Sequence, residues 1–212
     1  MKKRILCFGD SNTWGAIPGE TSRHPDDVRW TGVLQKELGE QFTVIEEGYN
    51  GRTTVYDDPV EGRLSGIQYF GPCCESHLPL DLIILMLGTN DLKLRFSASP
   101  GTVALGFERY REALSIASPT GKRPKVLLAS PILVSAFYRD NSALYDMFGE
   151  FAIERSAQLS TQYKRIADAN GWVFMNAAAY AVASEIDGIH MDTQNHKKLG
   201  MAFAKKVREL FI

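Results

Sequence analysis

The 212-residue sequence is short of cysteine, has no long apolar run and carries no surplus of either charge. Each shortage excludes something. Three cysteines are an odd number, Cys73 and Cys74 are adjacent, and Cys7 sits in an apolar, strand-like run, so no disulfide framework is expected. No C-x-x-C spacing and no Cys/His cluster is visible in the sequence, so no metal ligand set is expected of these thiols. A reducing cytoplasm is the expected compartment. The most apolar run, Leu82 to Leu87, is far shorter than the roughly 20 residues that a membrane-spanning helix needs. The N-terminus begins like an export signal, but Gly9 and Asp10 end its apolar stretch almost at once, so a protein without a membrane partner is expected. Lys and Arg number 24 against 25 Asp and Glu, and they are scattered, so no basic stripe exists to neutralise a row of phosphates. Nucleic acid is not an expected partner.

What is present points to an α/β fold. The length suits a single domain spanning residues 1–212. Five short runs rich in β-branched, aromatic or leucine side chains read as strands: Arg4 to Phe8, Phe42 to Glu46, Asp81 to Leu87, Val126 to Ala129 and Trp172 to Met175. Most lack polar alternation, as strands buried on both faces do. Between them, Val103, Phe107, Tyr110 and Leu114 recur at helical spacing, and Leu159, Tyr163, Ile166 and Ala167 do so before Asn170-Gly171 closes the helix. Leu199, Phe203, Val207 and Leu210 form a third stripe, with Lys197, Lys198, Lys205, Lys206 and Arg208 on its solvated side. This alternation predicts a central parallel sheet covered by helices. Asp57 to Pro79 and Ile132 to Phe148 fit neither pattern and read as long functional loops or assembly surfaces.

In an open parallel sheet, ligands bind beyond the carboxyl ends of the strands. There the sequence places Gly9-Asp10-Ser11-Asn12, then Gly48-Tyr49-Asn50-Gly51, then Gly88-Thr89-Asn90-Asp91, with Asp187-Gly188-Ile189-His190 standing before the last helix. Each block alone is an ordinary turn or cap. Together they supply what acyl transfer requires. Ser11 is the candidate nucleophile and His190 the candidate base, since imidazole titrates near neutrality. Asp187 can curl back to orient that ring, and the Ser11 and Gly51 backbone N–H groups with the Asn90 amide can hold the oxyanion.

These four ordered blocks resemble the signature blocks of the SGNH (GDSL-like) hydrolase family over essentially the whole chain. Residues 5–15, Val28 to Leu34 and Leu85 to Asp91 are similar to the bacterial arylesterase/acyltransferase branch. The resemblance implies a flavodoxin-like three-layer α/β/α sandwich with a five-stranded parallel sheet, no metal or organic cofactor, and hydrolysis of acyl esters through an acyl-serine. The leucine of GDSL is Asn12 here, which puts the polarity of the pocket in question rather than the reaction. Gly48 is a rival to Gly51, which is preferred because its Asn50-Gly51-Arg52-Thr53 turn matches the branch.

Other readings make other expectations. His24 and His77 are expected to be exposed and without partners, and His196 to belong to the solvated start of the last helix. Asp187, His190, Asp192 and His196 form a rival metal cluster, but its spacing matches no ligand motif and leaves the serine and asparagine blocks unexplained. The phosphate-binding G-x-G-x-x-G and Walker motifs, G-x-S-x-G and H-E-x-x-H are all absent. A non-catalytic binding module of the same fold is the remaining alternative. Trp14, Thr89 and Ile189 are candidates for the wall of a short acyl pocket. A small-molecule ester, aryl or acetyl, is the expected substrate, with acetylated sugars as the competing class. Tyr56, Tyr69, Phe70, Phe137, Tyr138, Tyr145 and Phe148 suggest subunit contacts and a homo-oligomer.

Overall fold

In the computed structural model, residues 2–116 and 123–211 are described. Five parallel strands form one sheet: β1 (Lys3–Gly9), β2 (Phe42–Gly48), β3 (Leu82–Met86), β4 (Lys125–Ser130) and β5 (Val173–Asn176), in the order β2-β1-β3-β4-β5. All five runs read from the sequence are strands, displaced by at most two residues at an end. The order is that of flavodoxin-like sheets, in which the chain reverses its direction of winding between β1 and β3.

Alternate strand residues serve two cores, which is why the runs show no polar face. Leu6 and Phe8, Ile83 and Leu85, and Val126 and Leu128 face one layer of helices. Ile5 and Cys7, Ile84 and Met86, and Leu127 and Ala129 face the other. The second layer pairs α2 (Trp30–Leu38) with α8 (Thr193–Phe211), where fully buried Trp30 packs on Phe203. The first layer holds α3 (Gly66–Ser76), α4 (Pro100–Leu105), α5 (Phe107–Ile116) and α7 (Ala152–Asn170). Gly171 caps α7 in the left-handed conformation, as Asn170-Gly171 predicts.

Three expectations need correction. The stripe from Val103 to Leu114 is not one helix but two, broken at Gly106, where an added Cβ would press on the Val103 carbonyl and on Thr54 and Val55. The segment from Asp57 to Pro79 contains α3, whose Pro72 hid its period, and Ile132 to Phe148 contains a 3₁₀ turn at Ala136–Asp140 and α6 (Ser142–Phe148). Of the seven aromatics assigned to subunit contacts, Phe70, Tyr138 and Phe148 are buried and belong to the core, whereas Tyr69, Phe137 and Tyr145 are exposed.

Candidate active site

The register aligns Gly9 of β1 with Gly48 of β2 and Met86 of β3, so the turns that follow these three strands open at one edge. After β1 the chain enters a single helical turn, α1 (Ser11–Trp14). Asp10 caps it by accepting the Asn12 N–H at 3.0 Å, and Gly15, with φ of 89°, ends it. Gly48 is compressed beneath this turn, where a Cβ would overlap Trp14 N. A side chain at Gly48 would push Ser11 out of place.

The opposite wall is the turn at 187–190. Asp187 Oδ1 accepts the backbone N–H groups of Ile189 and His190, both at 2.9 Å, which curls the segment back on itself. Gly188 has φ of 68°, and a Cβ there would strike Tyr138 N and the Ser135 carbonyl, so no other residue fits. His190 Nδ1 lies 2.7 Å from Asp187 Oδ2, and His190 Nε2 lies 2.9 Å from Ser11 Oγ. With Nδ1–H donated to the carboxylate, Nε2 is left to accept the Ser11 hydroxyl proton. Burial alone would raise the Asp187 carboxyl; its bonds to and attraction for His190, with the two N–H groups, outweigh burial and hold it below the ordinary range.

Asn12 is the unexpected tie between these walls. It is buried and does not line the pocket: its Nδ2 donates to the Ile189 carbonyl at 3.1 Å, and its Oδ1 accepts Met191 N–H at 3.0 Å. The expectation that position 12 sets pocket polarity is therefore corrected. The residue clamps the backbone on both sides of His190.

The third wall comes from β2 and β3. Asn90 donates one amide hydrogen to the Arg52 carbonyl at 3.2 Å and has a second to give. Gly51 has φ of 77° and keeps its N–H unspent among the described residues. Two groups that sequence reasoning passed over hold these turns together. Asp91 accepts Thr54 N–H at 2.9 and 3.0 Å and its hydroxyl as well, and Arg52 Nη1 donates to the carbonyls of Gly9 and Glu47 while its guanidinium lies over the Phe8 ring. Burial pushes Asp91 up to about 6 against its Thr54 bonds, and pushes neighbouring Asp10 up to about 6 against its Asn12 bond and the attraction of His190 and Arg52. Asp10, Arg52 and Asp91 lie within or beside the blocks recognised in the sequence; their long-range partners do not.

Between the walls is a cavity of about 230 Å³. Ser11, His190, Gly51 and Asn90 reach it, as do the predicted Trp14 and Ile189; Thr89 is buried outside its lining, and Gly48 does not contribute. Leu144, Met147 and Phe148 of α6 supply an apolar rim, and Glu20, Asn50, Glu61 and Lys93 a polar one. Lys93 is almost completely buried, with Nζ 2.6 Å from Glu61 Oε1. Larger hollows of 510 Å³ elsewhere, one beside Arg111 and Trp172 and one beside Gly101 and Gln162, contain no nucleophile and base in contact.

A profile of the GDSL-like lipase/acylhydrolase family matches residues 7–198, a span that contains every residue of this cluster. The chain belongs to that family. Its class is accordingly that of the carboxylic ester hydrolases. Est24, a carbohydrate acetylesterase from Sinorhizobium meliloti, is 40% identical, with 99% of this chain and 100% of that chain covered and a TM-score of 0.93. The aryl esterase of M. smegmatis is 40% identical over the same shares, with a TM-score of 0.92. A carbohydrate acetylesterase family member from S. meliloti is 36% identical over 98% of each chain, with a TM-score of 0.91. No curated protein sequence matches.

The histidines depart from expectation. His24 and His196 are buried and meet edge to face at 5.1 Å between centroids, and His196 Nδ1 accepts Trp30 N–H at 3.2 Å. Asp192 Oδ1 is bound by the N–H and the side-chain amide of Asn195. The rival metal cluster of Asp187, His190, Asp192 and His196 does not assemble among the described residues. Nor is His77 solitary: Nε2 lies 2.8 Å from Glu47 Oε1, and Cys73 stands one turn earlier on α3. A Cys/His cluster therefore exists that the sequence reading missed, because its third member comes from β2.

Proposed function

We propose that the chain hydrolyses short-chain acyl esters, acetyl or aryl, through an acyl-serine at Ser11. The observation that carries this reading is the unbroken hydrogen-bonded chain from Ser11 Oγ through His190 to Asp187, opening into the small cavity. His190 takes the hydroxyl proton as Oγ attacks the ester carbonyl, then returns it to the departing alcohol. Water repeats the sequence on the acyl-enzyme. Asp187 stays ionised and holds the imidazolium in place. The N–H groups of Ser11 and Gly51 and the free Asn90 amide hydrogen meet the oxyanion, where prepositioned donors act more strongly on the transition state than on the substrate. No step calls on a cofactor.

The cavity volume lies below the roughly 300 Å³ at which pockets for drug-sized ligands begin, which supports a short acyl group bounded by Trp14 and Ile189. A second substrate reading, an acetylated sugar, is favoured by the polar rim of Glu20, Asn50 and Glu61, which offers partners for hydroxyl groups. The buried, unpaired Cys7, Cys73 and Cys74 support a cytoplasmic, reducing setting. Among the described residues no helix is long and apolar enough to cross a membrane. Exposed Tyr69, Phe137 and Tyr145 support a homo-oligomer, an idea that a monomeric mass in light scattering would remove.

The deciding experiment is p-nitrophenyl acetate hydrolysis by wild type and Ser11→Ala, each with and without a chelator. Activity that resists the chelator and falls by about 10⁴-fold or more in the variant is expected; undiminished activity in Ser11→Ala sinks the acyl-serine. A chain-length series peaking at octanoate or longer would overturn the short-acyl reading. Comparing acetate release from phenyl acetate and from sugar acetates separates the two substrate classes, and added alcohol reveals any acyl transfer.

A further inference from the structure

We propose that Glu47, Cys73 and His77 form a binding site for a divalent transition-metal ion, zinc(II) being the best match, outside the ester-hydrolysing pocket. Cys73 lies on α3, His77 is the residue that caps that helix, and Glu47 is on β2, the edge strand beside it. One ligand atom from each residue lies within 4.8 Å of the other two, and His77 Nε2 is already 2.8 Å from Glu47 Oε1. Ligand bond lengths of about 2.0–2.3 Å place the donor atoms of a tetrahedral zinc site roughly 3.3–3.7 Å apart. Shifts of roughly 1 Å, drawing Cys73 in and parting His77 from Glu47, bring the three donors to that spacing.

The donor chemistry narrows the ion. A thiolate, an imidazole and a carboxylate suit zinc, whereas calcium and magnesium take oxygen shells. Entry of the ion displaces the Cys73 proton to solvent, and the two resulting negative charges balance the metal's two positive ones. Cys73 is buried, while the side chains of His77 and Glu47 are 28% and 20% exposed, so two of the three ligands are within reach of an ion arriving from solvent. Of the two nearby guanidinium groups, that of Arg52 points its Nη1 at the carbonyls of Gly9 and Glu47. His77 is held from the main-chain side too, its carbonyl accepting from Arg4 Nη2 at 3.2 Å. A bound ion would fasten the exposed edge of the sheet to α3. None of its ligands lines the cavity of Ser11, so the proposal stands apart from the ester chemistry.

Cobalt(II) is the probe, because its thiolate charge-transfer and tetrahedral d–d bands report ligand type and geometry directly. The full chain, stripped with chelator and kept reduced, is titrated with cobalt and then with zinc. One equivalent producing both bands, bleached by zinc, is expected. Cys73→Ser should abolish the charge-transfer band, and His77→Ala and Glu47→Gln should each weaken binding by more than about tenfold, since loss of even an outer-sphere partner costs about that much. The last two positions are partly exposed and keep the test decisive if Cys73→Ser does not fold. Absence of a thiolate band at millimolar cobalt overturns the proposal. So does a band that persists in Cys73→Ser, which would belong to Cys7 or Cys74, or one unchanged in both His77→Ala and Glu47→Gln.

Discussion

His190 and His196 are six residues apart and live in opposite surroundings. At the mouth, His190 is partly exposed and spends one nitrogen on a carboxylate and the other on a serine hydroxyl. One helical turn into α8, His196 is sealed, accepts a backbone N–H from α2, and leaves Nε2 unpartnered beside His24. Burial and the proximity of His24 push it down to about 3, so it remains neutral. What separates a histidine suited to moving protons from one that props two helices together is the partner on its second nitrogen. Asp187 provides that partner for His190; among the described residues no group bonds to the second nitrogen of His196.

Of the changes that bear on this contrast, erasing the difference has the largest expected effect. Asp187→Asn leaves His190 without its carboxylate and disturbs the tautomer, so kcat for p-nitrophenyl acetate should fall by about 10³- to 10⁴-fold. His196→Ala should leave kcat of the folded enzyme within a few-fold of wild type; a loss as deep as that of Asp187→Asn would abolish the contrast. Asn90→Ala is next, removing the proposed oxyanion donor while leaving the Ser11–His190–Asp187 chain intact. It should lower kcat by about 10²- to 10³-fold with little change in KM; a rise in KM alone would reassign Asn90 to ground-state binding.

The smallest effect concerns stability. His196→Ala strands the buried Trp30 N–H and should cost about 1–3 kcal/mol in urea unfolding. Its pH dependence has a definite sign. Folding lowers the His196 pKa from 6.5 to about 3, so between those values the unfolded chain binds a proton that the folded chain refuses. That contribution is intact above pH 6.5 and disappears as pH falls towards 3. Asp10 and Asp91 act the other way, their folded pKa being raised from 3.8 to about 6, which weakens the fold as pH rises through that range. The difference between wild type and His196→Ala isolates the histidine: it should shrink steadily from pH 7 to pH 4, and a pH-independent difference would contradict burial of a neutral ring.

The strands were legible because both of their faces are buried, leaving apolar runs that no other element of such length explains. The positions of Ser11, Gly51, Asn90 and His190 followed from the rule that parallel sheets bind ligands at their carboxyl edge, joined to a recognisable order of blocks. Partnerships over long separations were not legible. Asn12 reads as a turn residue, and nothing local reveals that it grips backbone at Ile189 and Met191. His24, His77 and His196 read as polar surface because a single histidine carries no period. Pro72 made α3 look like a loop, although the helix accommodates it. Thr89 was placed by its neighbours in sequence, but the 3₁₀ turn at Asn90–Leu92 turns the chain so that Asn90 faces the cavity and Thr89 does not.

The Asn12 clamp also bears on the order in which the protein is made. Synthesis runs from the N-terminal side, so the serine turn leaves the ribosome well before the segment at 187–191. Until Asn12 grips that segment, Ser11 has neither its hydrogen-bond partner His190 nor its opposite wall. A chain interrupted anywhere between them carries Ser11 without the His190–Asp187 pair that bonds to it, so the mouth of the cavity closes only in a chain that has been read through Met191.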